Sequence, residues 1–452
     1  MKILNNQFIK VKGKGFYKDG NPIKFTGLGI GTWLNLEHFM IGIPTTDQIV
    51  RETFKEVYGE VTAKQFFDKF IRQFITEDDF KFLKDMGINL VRVPFNYRLF
   101  IDDQHPEQLK QEGFLYFDKL IKLATKYEIY IMPDLHTTPG GQNPDWHADN
   151  QTGIPQFWHF KVFRDQMVLL WRKIAERYRN EEYILGYDVL NEPLMIPKIE
   201  NILNDFYKDV TVAIREVDQN HIIFLEGDFF AMDFSEIHTI DDEQTALTFH
   251  YYPGVWDPEL MSSKYTRESR KAFIDNKLGN LVKIRDIFNR PIICGETGFD
   301  IDKNNYEFTF NLIEDLLELF LKYDVSWILW CYKDAQYMGV VYPRNNSPWM
   351  KFVNKVRETW DHHAEIQLSK DGVKWLLNQS YGKVSDDLGY YLHFQQRALL
   401  YRIEQEKLLI PLLKEYSDNE IMELPDSFLF INCNYYQEYY NLLYKYSKKL
   451  LK

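Results

Sequence analysis

The chain has 452 residues, of which 45% are hydrophobic and 27% are charged, and this balance is typical of a folded globular protein. Its formal net charge is −12 and no long cluster of Lys and Arg is present, so nucleic acid and anionic membrane surfaces are not expected as partners. Only three cysteines occur, Met1–Gln7 lacks the apolar core of a signal peptide, and no stretch approaches about 18 uninterrupted apolar residues. These features predict a cytoplasmic protein without a disulfide framework.

The order of predicted elements indicates repeated βα units. Phe8–Ile23, with Gly13, Gly15 and an Asp-Gly pair, is predicted to form a small hairpin. Short β-rich apolar runs then alternate with longer helical patterns. Eight runs are predicted to be strands: Lys24–Gly29, Asn89–Pro94, Ile129–Leu135, Ile184–Leu190, Ile222–Glu226, Ala246–His250, Pro291–Glu296 and Trp327–Cys331. Eight parallel strands with crossover helices predict an α/β fold, a (β/α)8 TIM barrel, and an open doubly wound sheet is the alternative.

Helix signals agree with this arrangement. Thr76 precedes three acidic residues and the pattern ends at Gly87, which predicts a capped helix. Ser347 and the proline after it predict the start of another helix, which runs to about Trp360. Residues 34–75 form an insertion with two helical patterns after the first strand, on the face where barrels place their active sites. The insertion is therefore expected to shape the mouth of the cleft.

The remaining residues predict a helical C-terminal extension. We assign residues 1–360 to the barrel domain and residues 361–452 to this extension. An apolar helical stripe is formed by Leu388, Leu392, Leu399 and Ile403. The extension is predicted to pack on the barrel or on a second subunit, which makes a homo-oligomer one expectation. Because its end is rich in tyrosine, and such surfaces also form interfaces, a ligand-binding module is the alternative.

Two predicted strands end in carboxylates. Glu192 follows an apolar strand within Asn-Glu-Pro, and Pro193 turns the chain away from the sheet. Glu296 closes another apolar strand. Because the carboxyl ends of barrel strands meet at one rim, the two carboxylates are expected to face each other about 5–5.5 Å apart. Such a pair cleaves glycosidic bonds with retention, with Glu192 as general acid/base and Glu296 as nucleophile. A structural ion pair is the alternative for either glutamate alone.

The Asn-Glu-Pro sequence and the later strand-end Glu296 resemble the catalytic pair of glycoside hydrolase family 5, one of the retaining (β/α)8 glycosidase families. The resemblance runs from about Gly13 to Trp360. Further positions that resemble the family are Arg92 in strand two, His136 after strand three, Asn191 beside Glu192, His250 and Tyr252 after strand six, and Trp330 in strand eight. No family counterpart is apparent for the C-terminal extension.

The resemblance implies a role for each of these side chains. Arg92 is expected to keep Glu296 ionised, and Tyr252 to donate a hydrogen bond to the same carboxylate. The charge of Glu296 is expected to raise the pKa of Glu192, which must be protonated in the first step. Asn191 is expected to hydrogen-bond the sugar 2-hydroxyl, and His136 and His250 to bind sugar hydroxyls or orient the carboxylates. Trp330 is expected to stack against a sugar ring. A satisfied buried histidine and a core tryptophan are the alternatives for these last residues.

The loop that follows the third strand is long, polar and aromatic. Its Pro-Gly-Gly-Gln-Asn segment resembles a loop of the exo-acting β-glucanase branch of the family, although Thr137 stands where that branch usually has Gly. We therefore expect Asn143 and Trp146 to bind substrate and the loop to close one end of the cleft. A metal site built from His136, Asp145, His147 and Asp149 is the alternative. That spacing fits no familiar zinc pattern, so no metal or cofactor is expected.

The sequence thus predicts a retaining, exo-acting β-glycosidase whose partner is a carbohydrate, with β-glucosides first among short oligosaccharides and small glycosides. Mannosides, galactofuranosides and arabinofuranosides are alternative substrates for the same mechanism. A transglycosylase is a close variant of the same chemistry. Other classes are a non-catalytic carbohydrate-binding barrel and a metal-dependent barrel hydrolase, which the lack of a His-x-His after strand one disfavours.

Overall fold

The computed structural model describes residues 8–238, 241–364, 377–380 and 386–452, and the single positions 375, 382 and 383. Met1–Gln7, on which part of the localisation prediction rests, lies outside the described residues, as does the 365–374 part of the predicted C-terminal extension. Within the described parts of the chain, none of the helices combines the length and the apolarity that crossing a bilayer requires.

The centre of the fold is a closed barrel of eight parallel strands, which confirms the predicted (β/α)8 class. In chain order the strands are Thr26–Gly29, Leu90–Asn96, Tyr130–Thr137, Gly186–Asp188, Ile222–Glu226, Thr245–His250, Ile292–Glu296 and Ser326–Leu329. Each pairs with the next in sequence, and the eighth returns to the first through the register Trp327↔Thr26. That last pairing excludes an open sheet.

Helices surround the barrel. The larger ones are Asp47–Phe74, Glu77–Asp85, Glu112–Tyr127, Lys161–Tyr178, Ile202–Arg215, Arg267–Val282, Tyr306–Tyr323 and Pro348–Ala364. The short ones are His38–Ile41, Asp228–Ala231, Pro253–Trp256 and Ile284–Phe288. Between the fifth and sixth strands, the described residues contain only the four-residue segment Asp228–Ala231, so a full crossover helix is replaced there by loop.

The N-terminal segment closes the bottom of the barrel. It forms three antiparallel strands, Lys10–Lys12, Gly15–Lys18 and Asn21–Ile23, where a two-stranded hairpin was predicted. The third strand follows because Gly20 (φ 83°) makes a second tight turn after that at Gly13 (φ 54°). Val11 and Phe16 are buried with the first residues of barrel strands, among them Leu90 and Ile222. The opposite rim of the barrel is left for the site.

The insertion after the first strand contributes to that rim. Its long helix, Asp47–Phe74, is interrupted at Gly59 (φ 80°) and buries a row of phenylalanines against the barrel. The next helix begins with a capping box, in which the Thr76 backbone N–H donates to Asp79 (2.8 Å). The short helix His38–Ile41 lies at the mouth of the barrel, and it brings His38 to the cavity described below.

The C-terminal extension packs on the barrel. Its elements are Asp386–Glu404, a π-helical turn Gln405–Leu409, Ile410–Leu413, Asp418–Glu423, two 3₁₀ turns (Leu424–Phe428 and Phe430–Asn432), strand Cys433–Tyr435 and Gln437–Leu450. The strand pairs with Val341–Pro343, and Phe428 is fully buried in the main core. Lys333, which follows the eighth strand, donates to the carbonyl of Phe428 (2.9 Å).

The apolar stripe predicted for this extension faces the solvent and not the barrel. Its members Leu388, Leu399 and Ile403 are exposed by 47%, 64% and 46%. The helix Asp386–Glu404 instead buries Phe394, Ala398 and Tyr401, which recur at helical spacing on a different face. The rings of Phe394 and Tyr401 offer more apolar area than the aliphatic side chains, so this face packs against the barrel rim.

Candidate active site

Glu192 lies on a strained turn just beyond the fourth barrel strand. That strand ends at Asp188, two residues earlier than predicted, and Glu192 has left-handed backbone angles (φ 47°). Two hydrogen bonds hold the turn. The Glu192 backbone N–H donates to Glu226 (2.6 Å), and the Asn143 side chain donates to the Glu192 carbonyl (2.9 Å). The turn aims the Glu192 side chain into the cavity.

Glu296 is the last residue of the seventh strand. Arg92 Nη1 donates to one carboxylate oxygen, and the Tyr252 hydroxyl donates to the other at 2.8 Å. The residue before it must be glycine, because a Cβ at Gly295 would collide with the hydroxyl of Thr248. The carboxylate is thus fixed by two donors at the place where a nucleophile is required.

The two glutamates face each other across His250. Its Nδ1 lies 2.8 Å from Glu192 Oε1 and 3.8 Å from Glu296 Oε2. One oxygen of each carboxylate and one ring nitrogen of His250 all lie within 4.8 Å of one another. Burial lowers the pKa of His250, but Glu226 and Glu296 raise it more, so the pKa lies well above its ordinary value and the ring carries a positive charge.

Arg92 is completely buried beneath Glu192 and Glu296. Besides Glu296 it contacts four side chains: Asp188 (2.8 Å), Asn191 (2.9 Å), Glu226 (3.0 Å) and Asp134 (3.2 Å). Burial alone would lower the pKa of Arg92, but the surrounding carboxylates raise it well above its usual range. Asn191 accepts from Arg92, and in the described part of the chain its own Nδ2 has no hydrogen-bond partner. That amide can donate to a sugar hydroxyl.

The pKa of Glu192 is shifted opposite to the sequence-based expectation. His147 Nε2 lies 3.0 Å from Glu192 Oε2, and His250 binds the other oxygen. Burial raises the pKa of Glu192, but the hydrogen bonds from His147 and His250 lower it by more. The pKa of Glu192 therefore lies well below its usual range. The prediction that the pKa of Glu192 would be raised is wrong, because two imidazoles bind its carboxylate. These contacts favour the ionised form of Glu192.

The opposite side of the cavity carries groups suited to a sugar ring. The rings of Trp330 and His136 are nearly parallel (6°), with their centres 5.9 Å apart. Glu37, from the loop after the first strand, places Oε1 3.6 Å from His136 Nε2. That buried oxygen accepts no hydrogen bond from any described residue. Burial, and then Glu296 and Glu192, raise the pKa of Glu37 well above its usual range, so its carboxyl is protonated.

These groups line one cavity of about 690 Å³ at the barrel mouth. Six of the ten site residues predicted from sequence line it: His136, Trp146, Glu192, Tyr252, Glu296 and Trp330. The other four, Arg92, Asn143, Asn191 and His250, are buried behind this lining and contact the catalytic groups. The cavity therefore contains both carboxylates and a flat aromatic ring within a single enclosure.

Comparison with known proteins identifies the family to which the chain belongs. The family model of cellulase, glycosyl hydrolase family 5, matches residues 51–336, more than half of the chain. The chain belongs to glycoside hydrolase family 5. A β-xylosidase from Phanerodontia chrysosporium is 36% identical over 363 residues, which cover 76% of this chain and 74% of that protein. Endoglucanase C from Acetivibrio thermocellus is 25% identical over 316 residues, 62% of this chain and 88% of that protein.

A solved structure shows the same fold. Cel5A of Thermotoga maritima, in complex with mannotriose, matches with a TM-score of 0.52 at 17% identity over 70% of this chain and 92% of that chain. Together with the family match and the glycosidases among the relatives, this makes the protein a glycoside hydrolase of family 5 on a (β/α)8 barrel.

Four residues around the site of this family 5 enzyme were not predicted. Three of them, Glu37, His38 and His147, lie in the connections after the first and third strands, His38 on a short helix and His147 in a 3₁₀ turn, and nothing in the sequence fixes their direction. His147 had been considered only as a possible metal ligand. The fourth, Glu226, ends the fifth strand and binds both Arg92 and the Glu192 backbone. The strand-end position that identified the catalytic glutamates also applies to Glu226 and could have identified it.

The C-terminal extension reaches the site of the family 5 barrel. Arg397 forms an ion pair with Asp145 (3.1 Å), next to Trp146 in the loop after the third strand. The Trp146 ring stacks on His38, with centres 4.9 Å apart. Burial, and then the charge of Arg397, lower the pKa of His38 to about 3, so this ring is neutral. The helix Asp386–Glu404 thus supports one wall of the cavity.

Proposed function

We propose that this chain is a retaining, exo-acting β-glycosidase that hydrolyses short oligosaccharides or small β-glycosides. The observation that carries the proposal is the pair of carboxylates at one rim. One oxygen of Glu192 lies within 4.8 Å of one oxygen of Glu296. Retaining glycosidases keep their carboxyl groups about 5–5.5 Å apart, whereas inverting enzymes need about 6.5–9.5 Å to admit a water molecule. The short separation therefore supports a covalent glycosyl intermediate.

In the first step Glu296 attacks the anomeric carbon. Arg92 and Tyr252 hold its carboxylate in one orientation, which lowers the entropic cost of the attack. The leaving oxygen takes a proton from Glu192. Because the two imidazoles favour the ionised form of Glu192, we propose that the proton reaches Glu192 along the His147–Glu192 hydrogen bond as the leaving group arrives.

In the second step water attacks the glycosyl ester, and Glu192 removes its proton. Esterification of Glu296 removes a negative charge beside His250 and Glu192. The ionised form of Glu192, which the two histidines stabilise, is then the base that this step requires. A sugar hydroxyl in place of water would give transglycosylation from the same intermediate.

Exo action is supported by the walls of the cavity. Its lining comes from the loops that follow every barrel strand except the second, so side chains surround the catalytic pair on most sides. Trp146 and His38 stack over one end, and the Arg397–Asp145 ion pair holds that wall from outside. A surrounded pocket accepts a chain end or a small glycoside more readily than the middle of a polymer.

The sugar is proposed to be a β-glucoside, with a β-xyloside as the second candidate. The protonated Glu37 carboxyl and His136 can bind hydroxyl groups, and Trp330 can pack against the ring. The β-xyloside is favoured by the relative that carries the name β-xylosidase at 36% identity. Mannosides and furanosides are the less supported alternatives.

A substrate panel tests the proposal. We expect one 4-nitrophenyl β-glycoside, the glucoside or the xyloside, to be hydrolysed with the highest kcat/KM, and NMR to show the β-anomer as the first product. Oligosaccharides labelled at the reducing end should lose single sugars from the other end. An α-anomer as first product would refute retention, and cleavage at internal bonds would refute exo action.

A further inference from the structure

The cavity has two chemically different sides. In the barrel order, strands five and six lie between the strand that precedes Glu192 and the strand that carries Glu296. On the other side, strand three and the segments that follow strands eight and one supply His136, Trp330 and Glu37, which are polar or flat groups. The loops after strands five and six supply apolar lining. We call the latter the apolar wall and define it as Phe230, Val255, Trp256 and Met261.

The apolar wall is partly exposed to solvent, although its member Phe230 is only 8% exposed. Val255 is 68% exposed, and Phe229, beside the wall, is 37% exposed. The Trp256 ring packs on both Phe230 (5.5 Å between centres) and Phe229 (5.4 Å). These rings form one surface, which continues into the cavity. Burial of such apolar surface against an apolar ligand is favourable because it removes apolar area from water.

The backbone of the loop after strand five is strained to present these rings. Phe229 (φ 53°) and Phe230 (φ 55°) both have left-handed angles, which are costly for bulky residues. The Phe230 backbone N–H donates to the carbonyl of Pro193 (3.1 Å), which follows Glu192 directly. The wall is therefore attached to the turn that carries the acid/base group, and the described loop lacks the crossover helix that would bury such side chains.

The position of the apolar wall indicates that it contacts the leaving group of the substrate. The acid/base residue protonates the departing oxygen, so the aglycone leaves from the Glu192 side of the cavity. His147, which binds Glu192, has its ring 6.1 Å from that of Phe230. The wall offers only the indole N–H of Trp256 as a polar group, although a sugar in this place would need partners for several hydroxyls.

We propose that the apolar wall binds a hydrocarbon aglycone, so that the preferred substrates are β-glycosides of alkyl alcohols. The inference rests on the proposed β-glycosidase function and specifies its leaving-group class. Binding energy from the remote hydrocarbon contributes to kcat/KM because the contact is kept while the glycosidic bond breaks.

A series of alkyl β-glycosides tests the inference, with the sugar that is best in the 4-nitrophenyl panel. Methyl, butyl, hexyl and octyl glycosides are assayed below their critical micelle concentrations. We expect kcat/KM to rise roughly two- to fourfold per added methylene until the wall is covered, and about 100-fold or more from methyl to octyl. The disaccharide of the same sugar should be a poorer substrate than the octyl glycoside.

Variants of the apolar wall test whether the rise of kcat/KM with alkyl chain length arises from contact with this wall. Trp256→Ala should reduce the gain in kcat/KM from methyl to octyl by roughly tenfold. Val255→Asn is a second variant. It removes no buried side chain, and it should also reduce the gain in kcat/KM from methyl to octyl. Phe160→Ala, at a 50% exposed aromatic residue away from the cavity, is the control and should leave the series unchanged.

The outcomes separate this inference from the proposed function. If the 4-nitrophenyl glycoside is hydrolysed but kcat/KM is flat along the alkyl series, or is highest for the disaccharide, the hydrocarbon aglycone is refuted and the glycosidase stands. If no glycoside is hydrolysed, the proposed function fails and this inference fails with it. A chain-length gain that both wall variants leave intact would place the aglycone elsewhere and refute the role of the wall.

Discussion

His147 Nε2 lies 3.0 Å from Glu192 Oε2, so a residue of the loop after the third strand contacts the acid/base group directly. Burial lowers the pKa of His147, but the hydrogen bond and charge of Glu192 raise it more, to above its ordinary value. Since His250 binds the other oxygen of Glu192, the protonation of Glu192 is coupled to that of both histidines. His147 is a positioning residue for proton transfer, and its effect should depend on pH.

His147→Gln should weaken general acid catalysis and change the pH dependence of stability. A histidine whose pKa is raised on folding contributes stability fully below its unfolded pKa of about 6.5, and loses it as pH rises through the folded pKa. The difference in Tm between wild type and variant should therefore be largest near about pH 6 and shrink toward about pH 9. On alkyl glycosides kcat/KM should fall by roughly 10- to 100-fold.

The exposed His159 provides the control for this variant. His159→Gln should leave both Tm and kcat/KM unchanged. A Tm difference for His147→Gln that stays constant over the same pH range would contradict the linkage, because a merely structural contact has no reason to titrate there.

Glu296→Ala should abolish turnover, with a loss of roughly 10³-fold or more in kcat, because no other group can form the glycosyl ester. Azide, small enough to enter the emptied space, should restore turnover by attacking from the nucleophile's side. The glycosyl azide formed should have inverted stereochemistry at the anomeric carbon, which NMR measures directly. Rescue with retained stereochemistry would assign the nucleophile to another residue.

Glu192→Ala should separate leaving groups by their need for a proton. We expect kcat/KM to fall roughly 10²- to 10⁴-fold for alkyl glycosides, whose leaving alcohols are weakly acidic. For 2,4-dinitrophenyl glycosides the first step should be nearly unaffected, and a burst of dinitrophenol should precede slow release of the sugar. Equal losses for both leaving groups would show that Glu192 does not act as the acid.

The barrel and the position of Glu296 could be predicted because they depend on strand order alone. Each strand was visible as an apolar run, and a carboxylate at a strand end must lie on the common rim of a parallel barrel. Glu296 therefore needed no loop geometry to be placed, whereas Glu192 lies on a turn four residues after the end of its strand. Strand bounds shifted by a few residues, because pairing stops where a turn such as that at Glu192 begins.

The remainder of the site depends on how loops fold, and the sequence does not specify this. Glu37 and His147 reach the cavity only because the insertion and the loop after strand three turn inward. The helix Asp386–Glu404 has apolar residues on two faces, and its pattern alone could not decide which one is buried. Its aromatic face packs on the barrel, which places Arg397 beside the active-site loop.

Arg397→Gln tests whether the C-terminal extension shapes the pocket. The ion pair with Asp145 is largely buried, with side chains exposed by 19% and 17%, so removal of Arg397 leaves a partly desolvated carboxylate without its charge partner. The adjacent Trp146 should lose its fixed orientation over the cavity. We expect KM to rise roughly three- to thirtyfold with a smaller change in kcat, because the catalytic pair itself is untouched.

A matched variant on the same helix distinguishes this local effect from general loosening of the extension. Arg402 pairs with Glu52 through side chains that are 44% and 41% exposed, so Arg402→Gln removes the same charge at little cost and should change KM less than about twofold. A double-mutant cycle of Arg397→Gln with Asp145→Asn should show strong coupling, because both changes break one contact. Equal effects of the two arginine variants, or additive effects in the cycle, would mean that the helix acts on stability alone and does not position the wall of the pocket.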